Sequence, residues 1–191
     1  MRTVMTAIAL GGLILAESAL AEVGNRAEGR KLAGQCRTCH GLDGDAQMPV
    51  APTIGGESEA YIRNQLTAFR DGTREHEMMT IVARNLSDQH IADLAAWYSG
   101  HKITATLSAD PTQAPQECVA CHGAEGIRQM EDAPNLAGET NIYIDTQLKA
   151  FRNGTRKNDI MSPIAAELTD AQIRAIADWY GAIKTEITLT E

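Results

Sequence analysis

Cys36-Arg37-Thr38-Cys39-His40 and Cys118-Val119-Ala120-Cys121-His122 decide how this chain is read. Each reads C-x-x-C-H, and together they hold all four cysteines of the 191 residues. Two thiols three positions apart can form thioethers to the two vinyl groups of one porphyrin, and the adjoining histidine is then held under the iron. Other uses of paired cysteines fit less well. A redox dithiol needs one such motif in a βαβ setting. A four-cysteine zinc site would have to join Cys39 to Cys118, far beyond the spacing of zinc ribbons. Disulfides inside each C-x-x-C leave the histidines without a role. The motifs therefore imply two covalent haem c groups, attached at Cys36, Cys39, Cys118 and Cys121. His40 and His122 are the expected axial iron ligands.

The two motifs belong to a duplication. Cys36 and Cys118 are 82 positions apart, and this shift carries residues 36–98 onto 118–180 without a gap, with 29 of 63 positions identical. All eight aromatic residues pair: Tyr61 with Tyr143, Phe69 with Phe151, Trp97 with Trp179, and Tyr98 with Tyr180. Two copies of about 80 residues, each with its own cofactor motif, read as tandem domains. The expected boundaries are 22–101 and 116–191, joined by a linker over 102–115 that contains Pro111 and Pro115.

Helical signals dominate both copies. A helix is expected over 26–36. Ser58 can cap a helix over 59–70, with Ile62, Leu66 and Phe69 along one side. Ser87 can cap another over 88–99, whose Ile91, Leu94, Ala95 and Tyr98 repeat at helical spacing. Thr140 and Thr169 take the same places in the second copy, and Thr169 with Gln172 suits a capping box. No strand is expected, so the fold class is all-α. The prolines before Cys118 oppose a long helix there. The second copy should shorten its first helix or replace its packing by contact with the first domain.

Composition bounds the partners. Seventeen basic residues against 25 acidic give a net charge of −8, a poor match to nucleic acid. Acidic surface can instead steer a basic protein partner. Eight aromatics are few for two small cores, and a covalent porphyrin would supply the missing apolar bulk. Met1-Arg2, the apolar run 4–15 and Ala19-Leu20-Ala21 have the layout of a secretory signal peptide cut after Ala21. The run is short of the roughly 20 residues that span a bilayer. The mature chain is thus expected to be periplasmic, without a transmembrane segment.

The sixth iron ligand separates electron carriers from haem enzymes. Methionine sulfur favours ferrous iron and raises the potential. Met79 pairs with Met161 under the 82-residue shift, as Met48 pairs with Met130, whereas Met78 meets Ile160. Met48 follows His40 closely in sequence, and the chain must pass from one face of the porphyrin to the other. Met79 and Met161 are therefore the preferred axial ligands, with Met48 and Met130 packing near the porphyrin edge. His76, His90 and His101 have no histidine counterpart and are expected at the surface.

The full pattern is C-x-x-C-H-G, Pro-x-x-x-Gly, Tyr-x-x-x-Gln-Leu-x-x-Phe-x-x-Gly, a methionine, then a helix ending Trp-Tyr, all twice. It resembles the dihaem cytochrome c4 family and is similar to the cytochrome subunit of flavocytochrome c sulfide dehydrogenase. The resemblance implies two tandem class I cytochrome c domains, each wrapped around a His/Met-ligated haem. It also implies that carbonyls of Pro52 and Pro134 accept from the axial histidines. Tyr61, Tyr143, Trp97 and Trp179 are candidate donors to the haem propionates. Arg70, Arg74, Arg152 and Arg156 are candidate propionate partners. The function expected is electron transfer, not catalysis, between donor and acceptor proteins such as a respiratory complex and a terminal oxidase. The alternative is an electron-accepting subunit of a flavoprotein dehydrogenase. A peroxidase-like enzyme would need an open iron, which the repeated methionine opposes.

Overall fold

The computed structural model describes residues 22–190; the expected signal peptide, 1–21, lies outside the described residues. Asn25 begins the first helix by accepting from the N–H groups of Ala27 and Glu28, and α1 runs Arg26–Ala33. A short α2 (Arg37–His40) carries the first motif. Then come α3 (Glu59–Arg70), α4 (Met79–Ala83) and α5 (Asp88–Ser99). A strand, β1 (His101–Thr106), and a 3-10 turn (Pro111–Gln113) lead into the second half. There α6 (Gln116–His122) carries the second motif, followed by α7 (Asn141–Arg152), α8 (Met161–Ala166), α9 (Asp170–Gly181) and β2 (Lys184–Leu189).

The helix starts follow from local chemistry. Ser58, Ser87, Thr140 and Thr169 each accept from the backbone N–H three residues on. Thr169 with Gln172 forms a full capping box, and so does Ser87 with His90. Each half then closes its own core. Ala33, Ile62, Leu94, Ala95, Trp97 and Tyr98 fill the first. Ile144, Leu148, Leu168, Ile173, Ile176, Ala177 and Tyr180 are prominent in the second. The fold is two helical domains, as the motifs imply, with one small sheet added.

That sheet corrects the expectation of no strands. β1 and β2 pair antiparallel, and β1 occupies the first residues of the expected linker. Thr104 pairs with Glu186, its own counterpart under the duplication shift, while Lys102 pairs with Thr188 and Thr106 with Lys184. A pseudo-two-fold axis therefore crosses the sheet at Thr104. Each strand leaves the last helix of its half and pairs with its equivalent, so backbone groups that alone would face water are satisfied.

The start of the second half also differs. α1 lies on α5 through Gly29, where an added Cβ would fall 1.9 Å from the Asp93 carbonyl oxygen. Position 111, the equivalent of 29, is Pro111 in the 3-10 turn. Neither a shortened first helix nor the first domain covers the matching face of α9. That face is polar instead: Arg174 and Asp178 are exposed where Ala92 and Ala96 are buried.

His101 is not a surface residue. It is 5% exposed, stacks edge-on against Trp97 at 4.8 Å and donates from Nδ1 to the Trp97 carbonyl at 3.0 Å. Its Nε2 lies 3.4 Å from Asp43. Burial by the turn from α5 into β1 explains the difference, and the second half has buried Ile183 there. His76 and His90 are exposed as expected, but both accept from helix N-terminal amides.

Candidate functional site

Each C-x-x-C-H lies on one helical turn, so its two thiols, three positions apart, point to one side of the chain. All four cysteines are free and half-buried. Burial pushes the Cys36 thiol up and the Cys118 thiol to about 12, so both stay protonated. Among the described residues no group of three His, Cys, Asp or Glu is placed to hold a metal ion, so the two pairs do not combine into a zinc site.

His40 and His122 end these turns and are 7% and 6% exposed. The next residue must turn sharply. Gly41 and Gly123 both adopt positive φ, a conformation open to glycine at little cost. A Cβ at Gly41 would also sit 2.3 Å from the Asp45 carbonyl oxygen. The Gly-rich loop returns so that His40 Nδ1 lies 2.8 Å from the Pro52 carbonyl and His122 Nδ1 lies 2.8 Å from the Pro134 carbonyl. A carbonyl only accepts, so Nδ1 carries the proton and the Nε2 lone pair is left to coordinate. Burial lowers both imidazole pKa values, against the opposing effect of the proline carbonyl, and keeps the rings neutral.

The methionine pairs differ in exposure. Met48 and Met130 are 41% and 51% exposed, whereas Met79 and Met161 are half-buried at the starts of α4 and α8. Met161 packs on the same core cluster as Cys118 and Trp179. Just upstream, His76 Nδ1 accepts from the N–H groups of Met78 and Met79 at 3.3 and 3.4 Å. Asn158 Oδ1 does the same for Ile160 and Met161 at 3.0 and 2.8 Å. Each half thus offers two adjacent thiols and a neutral histidine with a free Nε2, which fits haem c, and it carries a half-buried methionine later in the chain.

Several of the candidate propionate partners bind protein groups. Trp97 donates to the Leu42 carbonyl at 2.8 Å and Trp179 to the Ala124 carbonyl at 3.0 Å. Each indole N–H thus ties the last helix to the loop just after the axial histidine. Arg70 binds Asp88 and the Leu86 carbonyl; Arg152 binds Asp170 and the Leu168 carbonyl. They join α3 to the start of α5 and α7 to the start of α9.

Tyr61, Tyr143, Arg74 and Arg156 instead meet at the seam between the halves. Arg74 donates to Gln147 at 2.9 Å and Tyr143 at 3.4 Å, and Arg156 donates to Gln65 and Tyr61, both at 3.3 Å. Each guanidinium also lies 4.4 Å over its own half's phenylalanine, Phe69 or Phe151, within reach of a cation–π attraction.

The seam holds residues that motif reading missed. Ser58 donates to the Glu131 carbonyl, and Thr140 donates to the Pro49 carbonyl. Glu57 and Glu139, an identical pair under the shift, are 2% and 6% exposed. Glu57 accepts from the Asn135 N–H at 2.8 Å and Glu139 from the Thr53 N–H at 3.2 Å. Their preservation in both copies was the available signal, but a carboxylate beside glycine reads as solvent-facing.

Known proteins match this arrangement. A cytochrome c family model matches residues 26–101, and one described as cytochrome C oxidase, cbb3-type, subunit III, matches 113–179. Cytochrome c4 of Pseudomonas aeruginosa is 35% identical, over 82% of this chain and 87% of that protein. A thiosulfate dehydrogenase electron acceptor of Thiomonas intermedia is 32% identical, over 95% and 91%. The crystal structure of reduced cytochrome c4 from Pseudomonas stutzeri superposes with a TM-score of 0.73 at 30% identity, covering 83% of this chain and 98% of that one.

Proposed function

The chain belongs to the cytochrome c4 family, and on that premise we propose that it carries single electrons between periplasmic redox proteins, and that His40 and Met79 would hold the haem iron in one half and His122 and Met161 in the other. Bound at its C-x-x-C-H, each covalent haem c supplies a one-electron ferric/ferrous couple. The protein's residues set how that couple behaves. His40 and His122 are fixed in one tautomer by the Pro52 and Pro134 carbonyls, which strengthens Nε2 as a donor. Met79 and Met161 bring soft sulfur, which favours the ferrous state. His40 with Met79, and His122 with Met161, would hold each iron through protein atoms, which would leave it little access to peroxide or dioxygen.

The observation that carries this reading is the repeated histidine–proline bond, 2.8 Å in both halves, which leaves a neutral imidazole with its free nitrogen beside two thiols. The methionine assignment is tested by the far-red charge-transfer band of methionine-ligated ferric haem. Met79→Ala and Met161→Ala should each remove part of that band, and Met48→Ala and Met130→Ala should leave it whole. Loss in the Met48 variant instead would reassign the ligand.

A second reading makes this chain the electron acceptor of a sulfur-compound dehydrogenase, the role named for the relative in Thiomonas intermedia. Rapid reduction by a thiosulfate dehydrogenase, slowing with added salt, would favour it. Co-purification with a flavin-bearing chain would favour the flavoprotein alternative.

A further inference from the structure

Each axial histidine is separated from a buried carboxyl of the other half by a single peptide unit. The Pro52–Thr53 peptide accepts from His40 on its carbonyl side and donates from its N–H to Glu139 at 3.2 Å. The Pro134–Asn135 peptide accepts from His122 and donates to Glu57 at 2.8 Å. We propose that Glu139 tunes the reduction potential of the haem held by His40, and Glu57 that of the haem held by His122, each across the domain seam through its Pro–Xaa peptide. This rests on the dihaem reading and adds positioning residues that act on the iron through the histidine.

The physical basis is polarisation along a hydrogen-bond chain. A carboxylate accepting from a peptide N–H draws the amide dipole toward itself and makes the carbonyl oxygen more negative. That carbonyl then takes a stronger bond from Nδ1–H, the imidazole becomes more electron-donating, and ferric iron is favoured. The ionised carboxylate therefore lowers the potential and the neutral acid raises it. The route is held rigidly. Thr53 Oγ1 donates to the Gly138 carbonyl at 2.9 Å, and Asn135 Nδ2 donates to the Gly56 carbonyl at 3.1 Å.

Other charges around the pair are few. Arg128, which donates to the Gly56 carbonyl, and Arg156 favour ionisation of Glu57 and Glu139 respectively, while the two carboxyls oppose one another and Tyr61 lies close to Glu57. Burial outweighs both cations, raising Glu57 to about 8 and Glu139 well above the usual carboxylate range. Each carboxyl thus holds its proton to higher pH than a free carboxylate. Each potential should fall as pH rises through the titration of its own carboxyl.

The test uses Glu139→Gln and Glu57→Gln in the haem-loaded protein, since glutamine keeps an acceptor and removes the charge. Above the carboxyl titration, Glu139→Gln should raise the potential of the His40 haem and leave the other nearly unchanged; Glu57→Gln should do the reverse. The two waves are assigned by Met161→His, which lowers the domain-two wave. If that variant moves neither wave, the methionine assignment fails rather than the relay. In the reduced, diamagnetic protein the relay has a readout independent of methionine. The Thr53 amide proton should shift upfield in Glu139→Gln, with Asn135 unmoved. Should a glutamine variant not fold, the wild-type Thr53 and Asn135 amide protons still decide, because both must titrate with the carboxyls. Unshifted amide protons, or a potential change at the carboxyl's own domain alone, would overturn the proposal.

Discussion

α5 and α9 are the same helix by descent, each 12 residues long and ending in the same Trp-Tyr region, yet they are buried differently. Every residue from Ile91 to Tyr98 is buried in α5, whereas Ile173, Ile176, Ala177 and Tyr180 are the buried ones in α9. The cause lies outside both helices. α1 covers the back of α5, and a 3-10 turn stands in its place in the second half. The face toward the haem motif stays constant while the far face follows whatever covers it. What the duplication preserves is therefore the cofactor side of each domain.

Exchanging residues between the two helices should break this comparison most sharply. Ala92 is fully buried under α1. Ala92→Arg writes the second half's residue there and should destabilise domain one by about 4 kcal/mol. The converse Arg174→Ala should be close to neutral, because Arg174 is exposed. Denaturant unfolding followed at each haem would read both.

The seam, where the halves agree, gives the next effect. Glu57 binds its proton more tightly folded than unfolded, so its stabilisation is full below the ordinary carboxylate pKa and is lost as pH rises through about 8. Stability should fall by about 2–4 kcal/mol across that window. Glu57→Gln should flatten much of the slope in a series of melts. An unchanged slope would mean that Glu57 is ionised in the folded protein.

Smaller differences sharpen the comparison further. His101→Ile places the second half's residue in the first and removes the bond to the Trp97 carbonyl. It should lower stability by about 1–2 kcal/mol, measured by thermal unfolding. The amide-accepting side chains before the two methionines differ less. Asn158→Ala should lower stability by about 1 kcal/mol. His76→Ala should cost less, since the histidine contacts are longer. The same order should appear in how easily cyanide displaces the methionine.

Local features were legible in the sequence because their causes are local. Ser58, Ser87, Thr140 and Thr169 are caps by side-chain chemistry, and the Ile91–Tyr98 face repeats at helical spacing. The C-x-x-C-H motifs carry their chemistry within one short stretch each. What stayed hidden depends on distant partners. β1 alternates apolar and polar residues from Ile103 to Thr106, but over too short a run to stand alone, and the strand it pairs with lies at the far end of the other half. Glu57, Thr53 and Asn135 matter only once the two halves meet. For Trp97 and Arg70 the sequence shows the side-chain chemistry, but not the Leu42 carbonyl and the Asp88 carboxylate that they bind.

The account stands on two equivalent haem centres in one chain. Spectroelectrochemical titration of the exported, matured protein, normalised to protein mass and to iron, tests this most directly. It should show two haems and two one-electron steps per chain, with the far-red methionine band lost in proportion to both. One haem per chain, or a second haem that takes up carbon monoxide at once when reduced, would contradict it.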